Sequence, residues 1–473
     1  MPEKFYITTT LPYINSEPHI GFAGEIIMAD VLARFHRELG NEVFFNTGTD
    51  EHGLKIYQRS QELGMNIQRY CDELSKTFIG LKELLNLSFD NFIRTTDKHH
   101  VKAAQEFWKR CEANRDIYRK MYKVKYCVGC ELEKTDSELA DGKCPLHPDQ
   151  DIEYIEEENY FFHFSKYQKK LLDLYKKNPD FVLPKKRLNE IEAFVRRGLE
   201  DFSVSRVKEK MPWGIEIPGD PEHVMYVWFD ALINYISALG WPKNDENFKK
   251  FWPGTQIAGK DNLRQQSAMW QAMLMSAKIA NSKQIFIRGF ITNKGEKMSK
   301  SQGNFISAKE IVDKFGADGT RYLLLSIGGL FGEDTDATME KFVEKYNADL
   351  ANGLGNLVSR VIKLTQNSEF SGAKLQEKRS LAPLEKFVEN MELSQALNYI
   401  WEIISKDNKY IEENKPWELK KSDENKFKKV MQKLISDLYL ISELIAPFLP
   451  ETSEKIKKAL KIKESVILFK RIK

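Results

Sequence analysis

The sequence predicts an α/β protein: a doubly wound parallel sheet with a metal-binding insertion, followed by an all-α helical bundle. Short apolar strands alternate with helical periods in the first part of the chain, as in residues 5–10, 22–39 and 43–50. A stretch of short segments, turn residues and clustered cysteines begins near residue 118. From Tyr346 onward the apolar residues follow a helical period of about 3.6 residues. Strand–helix–strand order predicts parallel pairing, and the long helical period predicts an antiparallel bundle.

The predicted sheet is of the Rossmann type, in which ligands bind outside the carboxyl ends of the strands. Residues 43–50 form an apolar run that ends at Asp50, and His19 lies in the loop between the first predicted strand and its helix. Strand-like runs resume near residue 224 and continue at residues 256–259 and 285–288. The glycine-rich GxGxxG pattern is absent, so a dinucleotide site is disfavoured.

The composition is that of an ordinary globular protein, with 42% hydrophobic and 30% charged residues. Residues 346–473 carry 23 Lys and Arg against 18 Asp and Glu, an excess of positive charge that is compatible with an RNA partner. No basic-then-apolar leader opens the sequence, and no apolar run is long enough to span a bilayer. Five cysteines, an odd number, fit a reducing compartment better than a set of disulfides. We therefore expect a cytoplasmic protein without a membrane partner.

Four residues of the insertion have the spacing of metal ligands. Cys127 and Cys130 are separated by two residues, as are Cys144 and His147, and thirteen residues lie between the two pairs. Three thiolates and an imidazole suit a closed tetrahedral Zn²⁺ site with a structural role. A redox dithiol would need only the first pair, and a disulfide would leave His147 unexplained.

A lysine-rich loop is the strongest functional signal. Residues 297–301 read Lys-Met-Ser-Lys-Ser and follow an Asn-Lys-Gly turn after an apolar strand. Two ammonium groups on flexible stems can follow the negative charge of a triphosphate toward the transition state. The alternative for an isolated Lys/Ser pentamer is a solvated surface loop. His19 and Gly21 weigh against that alternative, because they open a helix directly after a strand, where backbone amides and the helix dipole favour a phosphate.

His19 and Gly21, taken with residues 297–301, resemble the paired motifs of the class I aminoacyl-tRNA synthetases, and the matches below resemble the methionyl-tRNA synthetases in particular. The resemblance implies that ATP and L-methionine form methionyl adenylate, with Mg²⁺ on the departing pyrophosphate, and that methionine then passes to tRNA(Met). The implied catalytic residues are His19, Lys297 and Lys300. The implied ATP-binding residues are Gly21, Gly259, Asp261, Lys297, Met298, Ser299, Lys300 and Ser301.

The resemblance also implies a methionine pocket. Its residues would be Leu11, Tyr13, Asp50, Trp228, Ala231, Tyr235 and Gln266. A thioether is polarizable and flexible, and aromatic walls stabilise it through sulfur–ring contacts that contribute roughly 0.3–1.5 kcal/mol. Asp50 would bind the substrate ammonium group, while Tyr13 and Trp228 would close on the side chain.

Four positions depart from the pattern of that family. Phe22 stands where the first motif has a second histidine, and a phenyl ring cannot donate to a phosphate. Arg288 stands where a histidine is common, and we interpret it as a substitute positive charge. Asn262 and Gln266 replace an apolar residue and a histidine, which makes the pocket more polar.

Asn356, Arg360 and Trp417 resemble the residues with which the family reads the CAU anticodon. Asn356 and Arg360 lie four residues apart, on one face of a helix, and Trp417 follows a proline at a helix start. Asn and Arg can hydrogen-bond to base edges, while an indole stacks on an unpaired base for about 1–3 kcal/mol. Singly, each residue could serve as a packing or capping residue instead. No appended dimerisation domain follows, so a monomer is expected.

The resemblance divides the chain into five expected segments. These are the first half of a catalytic Rossmann domain (1–117), a connective insertion with the zinc knuckle (118–223), the second catalytic half (224–289), a lysine-loop and stem-contact region (290–345) and a helical anticodon-binding domain (346–473). Two alternatives to a methionine–tRNA ligase stay open. One is a class I synthetase for another apolar amino acid, favoured by Asn262 and Gln266. The other is a catalytically degenerate RNA-binding homologue, favoured by Phe22 and disfavoured by the intact lysine loop.

Overall fold

The chain divides into two compact units. The computed structural model describes residues 2–130, 132–134, 136–298, 304–326, 333–366, 381–464 and 466–473. The first unit comprises Met1–Pro18, Asn41–Gly80 and Phe89–Ile287. The second comprises His19–Gly40, Leu81–Ser88 and Arg288–Lys473. No described helix has both the length and the apolar character needed to cross a membrane.

The first unit is built on a six-stranded sheet. In chain order its strands are β1 (Lys4–Thr9), β2 (Glu42–Thr49), β3 (Asn91–Arg94), β4 (Val182–Leu183), β5 (Thr255–Gly259) and β6 (Gln284–Arg288). Across the sheet the order is β3-β2-β1-β5-β6-β4, and β1 pairs in parallel with both β2 and β5. Residues 5–9 of β1 are all buried, as expected for a parallel strand covered on both faces. The order reverses between β1 and β5, which is where a doubly wound sheet opens its ligand crevice.

Two smaller sheets and a series of helices complete the first unit. One sheet contains Ile117–Cys127, Leu132–Lys134, Glu153–Phe162 and Phe202–Ser203, and the other contains Ser205–Val207, Glu216–Ile217 and Asp220–Met225. The α-helices are Leu54–Glu62, Ile67–Ile79, Lys98–Ala113, Gln168–Lys177, Lys185–Arg196, Val227–Ala231, Asn234–Ser237, Glu246–Phe251 and Trp270–Ser276. Short 3₁₀ turns occupy Asp136–Glu138, Phe164–Tyr167 and Lys260–Asn262, and a π-helical turn occupies Gln265–Met269. Aromatic side chains, among them Phe107, Trp108 and Trp270, form much of the core of this unit.

The second unit is mainly helical. Its α-helices are Ile20–Glu38, Leu81–Leu84, Ala308–Ser326, Met339–Lys345, Asn356–Thr365, Ala382–Glu389, Leu393–Asn414, Pro416–Ser422, Glu424–Ile445 and Pro450–Ile462. A small sheet contains Ile291–Asn293, Glu296–Lys297 and Thr335–Asp336. The helix Ala308–Ser326 bends at Gly316, whose φ of 71° is not helical. The predicted fold class, a parallel α/β sheet followed by a helical region, is confirmed.

The helical period after Tyr346 is interrupted by a wider turn. The apolar residues that define the period, Leu350, Leu354, Leu357, Val358 and Val361, are all buried as predicted. However, Tyr346–Gly355 is a π-helix, and the amide of Asn356 donates to the carbonyl of Ala351, five residues back. Such turns are rare and frequently occur at functional sites. This one leads directly into the helix that carries Asn356 and Arg360.

A buried ion pair lies in the core of the second unit. The guanidinium of Arg321 is fully buried, with Nη2 at 2.8 Å from Asp30 Oδ2. Arg34 Nε donates to the same carboxylate oxygen at 2.8 Å, and the Ser88 amide and hydroxyl donate to the other. Burial would raise the pKa of Asp30, but the two arginines and Ser88 outweigh it and hold that pKa below its usual value.

Candidate active site and metal centre

The loop after β1 extends the central sheet toward Asp50. Asp50 directly follows β2 and forms a parallel bridge with Tyr13. The amide of Asp50 donates to the Pro12 carbonyl at 3.0 Å, and the amide of Ile14 donates to the Asp50 carbonyl at 3.4 Å. These bonds hold Tyr13 and Asp50 side by side at the carboxyl ends of two adjacent strands. Leu11, on the same loop, is partly buried.

An aromatic wall forms next to this loop. The rings of Tyr13 and Trp228 lie edge to face, with centroids 6.3 Å apart. Both rings pack against a small buried cluster formed by Tyr126, Tyr226 and Val227. Trp228 belongs to the helix Val227–Ala231, whose last residue, Ala231, is 6% exposed. Tyr13 and Trp228, which the resemblance assigns to one pocket, therefore lie beside each other.

Two further predicted pocket residues contact each other. Gln266 Nε2 donates to the hydroxyl of Tyr235 at 2.5 Å, and both side chains are buried. Gln266 lies in the π-helical turn Gln265–Met269, which follows β5 after one 3₁₀ turn. Its amide is thus fixed by the tyrosine.

The end of β5 presents an exposed carboxylate. Gly259 is the last residue of β5, and Asp261 lies in the 3₁₀ turn that follows. A Cβ added at Gly259 would lie 2.7 Å from Asp261 Oδ1, so only glycine leaves the carboxylate in this position. Because β5 borders the reversal of strand order, Asp261 lies where a ligand of such a sheet is expected.

His19 caps the helix Ile20–Glu38 in the second unit. Its Nδ1 accepts a hydrogen bond from the Gly21 amide at 2.9 Å, and the ring is exposed. A Cβ at Gly21 would lie 2.5 Å from His19 Cε1, so a side chain at Gly21 would displace the imidazole. Because Nδ1 accepts, the neutral ring carries its proton on Nε2 and can donate it to a ligand.

The structure brings His19 to the segment that follows the lysine loop. His19 forms an antiparallel bridge with Ser307, and the Ile20 amide donates to the Ile306 carbonyl at 3.2 Å. On the preceding side, Lys294 and Gly295 have φ values of 56° and 78°, which form the predicted turn. The following short strand, Glu296–Lys297, pairs with Ile291–Asn293. Met298 is partly buried, whereas Ser299, Lys300 and Ser301 lie outside the described residues.

The two departures near the first motif meet at the first turn of the helix Ile20–Glu38, because Phe22 lies on this turn and Arg288 contacts it. Phe22 is buried, with 7% of its surface exposed. Arg288 is buried as well, and its Nη1 donates to the Gly21 carbonyl. The guanidinium lies against Gly24, where a Cβ would be 2.9 Å from Nη2. A positive charge therefore lies beside the first turn of the helix that His19 caps.

The four predicted metal ligands converge. The Sγ atoms of Cys127, Cys130 and Cys144 and a ring nitrogen of His147 all lie within 4.8 Å of one another. Cys130 Sγ is 3.5 Å from Cys144 Sγ and 3.3 Å from His147 Nδ1. A Cβ at Gly129 would lie 2.5 Å from the His147 ring, so glycine makes room for the imidazole. The cluster has the donor set and the spacing of a site that could hold one metal ion.

The predicted RNA-contact residues lie together on the helical part of the second unit. The guanidinium of Arg360 is 5.6 Å from the ring of Trp417 and 2.7 Å from Glu412 Oε1. Trp417 is 40% exposed, which is unusual for an indole. A cavity of about 430 Å³ is lined by Asn356, Arg360 and, among others, Trp401 and Asn408.

Comparison with known proteins agrees with this geometry. The family described as tRNA synthetases class I (M) matches residues 5–152 and 138–362, and the anticodon binding domain of methionyl tRNA ligase matches residues 364–468. The chain belongs to the methionyl-tRNA synthetase family. The predicted resemblance is thereby confirmed.

Individual methionyl-tRNA synthetases match nearly the whole chain. The methionine–tRNA ligase of Thermotoga maritima is 41% identical over 96% of this chain and 74% of its own length, and that of Brucella suis is 41% identical over 96% and 91%. The structure of Mycobacterium tuberculosis methionyl-tRNA synthetase in complex with methionyl-adenylate is 37% identical, with a TM-score of 0.89, and covers 96% of this chain and 93% of that one.

Sequence reasoning missed two buried charged residues near the predicted pocket of this methionyl-tRNA synthetase family member, Arg206 and Asp230. Arg206 lies between two aromatic rings, with its guanidinium carbon 4.2 Å from the Tyr226 ring and 5.1 Å from the Tyr126 ring. Asp230 is completely buried between Trp228 and Ala231. A charged residue inside an otherwise apolar helix was the available signal for Asp230, whereas the Arg206 contacts depend on tertiary packing alone.

Proposed function

We propose that the chain is a methionine–tRNA ligase, which forms methionyl adenylate from methionine and ATP and then transfers methionine to tRNA(Met). The observation that carries the proposal is the meeting of Tyr13, Asp50 and Trp228 at the carboxyl ends of β1 and β2, next to the reversal of strand order. Family membership supports the same activity.

Methionine would bind between the carboxylate and the aromatic wall. Asp50 would accept hydrogen bonds from the ammonium group, and the Tyr13 and Trp228 rings would contact the thioether. Leu11 and Ala231 would leave room for the unbranched side chain. Tyr235, held by Gln266, would complete the polar end of the pocket.

ATP would bind at the mouth of the sheet, with Asp261 accepting from the ribose hydroxyls beside Gly259. The methionine carboxylate attacks the α-phosphorus and pyrophosphate leaves, so catalysis consists of positioning and charge stabilisation. As the resemblance implies, His19 Nε2 would contact the phosphates from the helix N-terminus, and Gly21 would let the adenine or ribose approach the backbone closely. The ammonium groups of Lys297 and Lys300 would stabilise the departing pyrophosphate, and the resemblance assigns Met298, Ser299 and Ser301 to ATP binding as well. Mg²⁺ would neutralise part of the pyrophosphate charge.

The cysteine cluster would hold a structural Zn²⁺. Ligands at about 2.3 Å from zinc in a tetrahedral site are separated by about 3.8 Å, and the distances within the cluster approach this value. All four ligands come from protein, so no coordination position is left for a substrate.

The tRNA would be recognised through its anticodon. Asn356 and Arg360 would hydrogen-bond to base edges, and the exposed Trp417 would stack on an unpaired base. The cavity beside Asn356 and Arg360 supports this assignment, because an extruded base needs a recess of polar and aromatic residues.

An ATP–pyrophosphate exchange assay with a panel of amino acids tests the proposal. Exchange is expected with methionine. It should be lost in Lys300→Ala, whereas tRNA binding should be unchanged. Lys309→Ala serves as a matched control, because Lys309 is an exposed lysine paired with Asp313 on the helix Ala308–Ser326. Exchange with a different apolar amino acid alone would indicate a sibling synthetase. The absence of exchange with every amino acid, with tRNA binding intact, would indicate a degenerate homologue.

A further inference from the structure

One carboxylate bridges two imidazoles in the interior of the first unit. Asp230 Oδ2 lies 3.0 Å from His52 Nδ1, and Asp230 Oδ1 lies 3.8 Å from His100 Nε2. His100 Nδ1 is in turn 2.9 Å from the hydroxyl of Ser237. The side chains of Asp230 and His100 have no exposed surface, and that of His52 is only 6% exposed. Neither the methionine contacts nor the ATP contacts proposed above use these groups.

The cluster formed by Asp230, His52 and His100 has to carry charge. An isolated buried carboxylate costs far more than folding can supply, so it requires a positive partner. Among the described residues, only the two histidines lie within ion-pair distance of Asp230. Glu51, on the same turn as His52, is already paired with Arg94 at 2.6 Å. The two imidazoles are therefore the groups that face the buried carboxylate.

The ionisation of Asp230 agrees with this picture. Burial would raise the pKa of its carboxyl group, but His52 and His100 outweigh burial and hold that pKa below its usual value. The carboxylate is thus an anion that is hydrogen-bonded to His52, with His100 at 3.8 Å on its other side.

The cluster connects chain segments that are far apart in sequence and that carry the proposed pocket. His52 lies two residues after Asp50, on the turn that follows β2. Asp230 lies on the helix Val227–Ala231, between Trp228 and Ala231. A shift of Asp230 would therefore move the aromatic wall relative to the carboxylate that binds the ammonium group.

We propose that Asp230, paired with His52, is a positioning residue for methionine: it sets the distance between Asp50 and the helix that carries Trp228. This inference rests on the methionine pocket assigned under the proposed function. Asp230 itself is completely buried and acts through the two segments that it joins. The pair should govern the KM for methionine and leave the KM for ATP unchanged, because Gly259 and Asp261 follow a different strand.

Asp230→Asn tests the proposal because it keeps the shape of the side chain and removes its charge. In ATP–pyrophosphate exchange, the KM for methionine should rise roughly 10- to 150-fold, since a hydrogen bond to a charged group contributes about 1.5–3 kcal/mol. The KM for ATP and the metal content of the protein should not change. His52→Gln should have a similar effect, and the double variant should be no worse than the more severe single variant.

Asp201→Asn is the matched control. Asp201 also lies 2.9 Å from a histidine Nδ1, that of His163, but it belongs to the insertion and contacts no proposed pocket residue in the described structure. Its loss should leave the KM for methionine unchanged.

Trp228→Ala separates the failure of this proposal from the failure of the pocket assignment. If Trp228→Ala raises the KM for methionine while folded Asp230→Asn does not, the positioning role is wrong and the pocket stands. If Trp228→Ala has no effect, the pocket assignment is wrong, and this inference falls with it. Should Asp230→Asn fail to fold, His52→Gln decides by the same criterion. A fall in kcat with both KM values unchanged would also overturn the proposal.

Discussion

We interpret Arg288 as a substitute positive charge beside the first turn of the helix that His19 caps. The family pattern expects imidazoles in this region, and this chain has Phe22 and Arg288 instead. The arginine is buried and bonded to the Gly21 carbonyl, which leaves its charge beside the first turn of the helix that His19 caps. Gly24 permits this approach because it has no side chain to displace the guanidinium.

We predict that Arg288→Ala lowers the rate of adenylate formation by on the order of 100-fold, the usual effect of removing one donor that stabilises a transition-state charge. Arg288→Lys should recover part of the rate, because it restores the charge without the planar fork. The measurement is ATP–pyrophosphate exchange with circular dichroism as a folding control. An unchanged rate in folded Arg288→Ala would contradict the interpretation of Arg288 as a substitute charge.

At the scale of elements, the cysteine knuckle and the π-helix Tyr346–Gly355 each depend on residues acting together. The Cys127–His147 knuckle requires a glycine at residue 129, because the imidazole occupies the space of a Cβ there. The π-helix Tyr346–Gly355 changes the direction of the side chains that follow it, and both π-turns of the described chain adjoin predicted site residues, Gln266 and Asn356. Departures from regular hydrogen bonding thus coincide with proposed binding sites.

For the knuckle, we predict about one zinc ion per chain and a reduced zinc content in Gly129→Ala and Cys144→Ser, because the first displaces His147 and the second removes a thiolate ligand. Cys111→Ser is the control, since this buried thiol lies outside the cluster. Metal analysis of purified protein is the measurement. Normal zinc content in Cys144→Ser would show that the cluster is not the site.

For the helical region, we predict that Trp417→Ala raises the KM for tRNA(Met) about 5- to 150-fold, equivalent to about 1–3 kcal/mol of lost base stacking. The exchange reaction, which needs no tRNA, should keep its rate. Aminoacylation and exchange measured on one preparation provide the comparison. Equal losses in both reactions would indicate that Trp417 acts on folding rather than on tRNA.

At the scale of the whole molecule, the buried ion pair of the second unit links stability to pH. Asp30 has a folded-state pKa below its unfolded value. Such a group stabilises the fold above its unfolded pKa, about 3.9 for Asp, and the stabilisation is lost as the pH falls through the folded pKa.

We therefore predict that the chain loses stability as the pH falls below about 4, the unfolded pKa of Asp. Asp30→Asn should lower stability at pH 7 by about 3–5 kcal/mol, the cost of breaking a buried pair, and should flatten the acid dependence. Asp313→Asn, which breaks an exposed pair with Lys309, should change little. Denaturant titrations across this pH range measure both effects, and an acid dependence that is the same with and without Asp30 would refute the link.

The sequence alone determined the fold class and the family, because local sequence patterns predict both. Strand and helix periods, the cysteine spacing and the motifs at His19 and Lys297 depend on residues close in the chain. The structure and the family matches confirm the fold class and the family that these patterns predicted. The roles of individual site residues remain predictions.

Only the tertiary structure decided which distant residues share an environment. The pairing of His52 with Asp230 spans 178 positions, and the bond from Arg288 to the Gly21 carbonyl spans 267. Such contacts produce no periodic pattern in the amino-acid sequence, because they form only when separate segments pack together. The partner of a buried charge is therefore determined by the tertiary fold and not by the residues next to it in the chain.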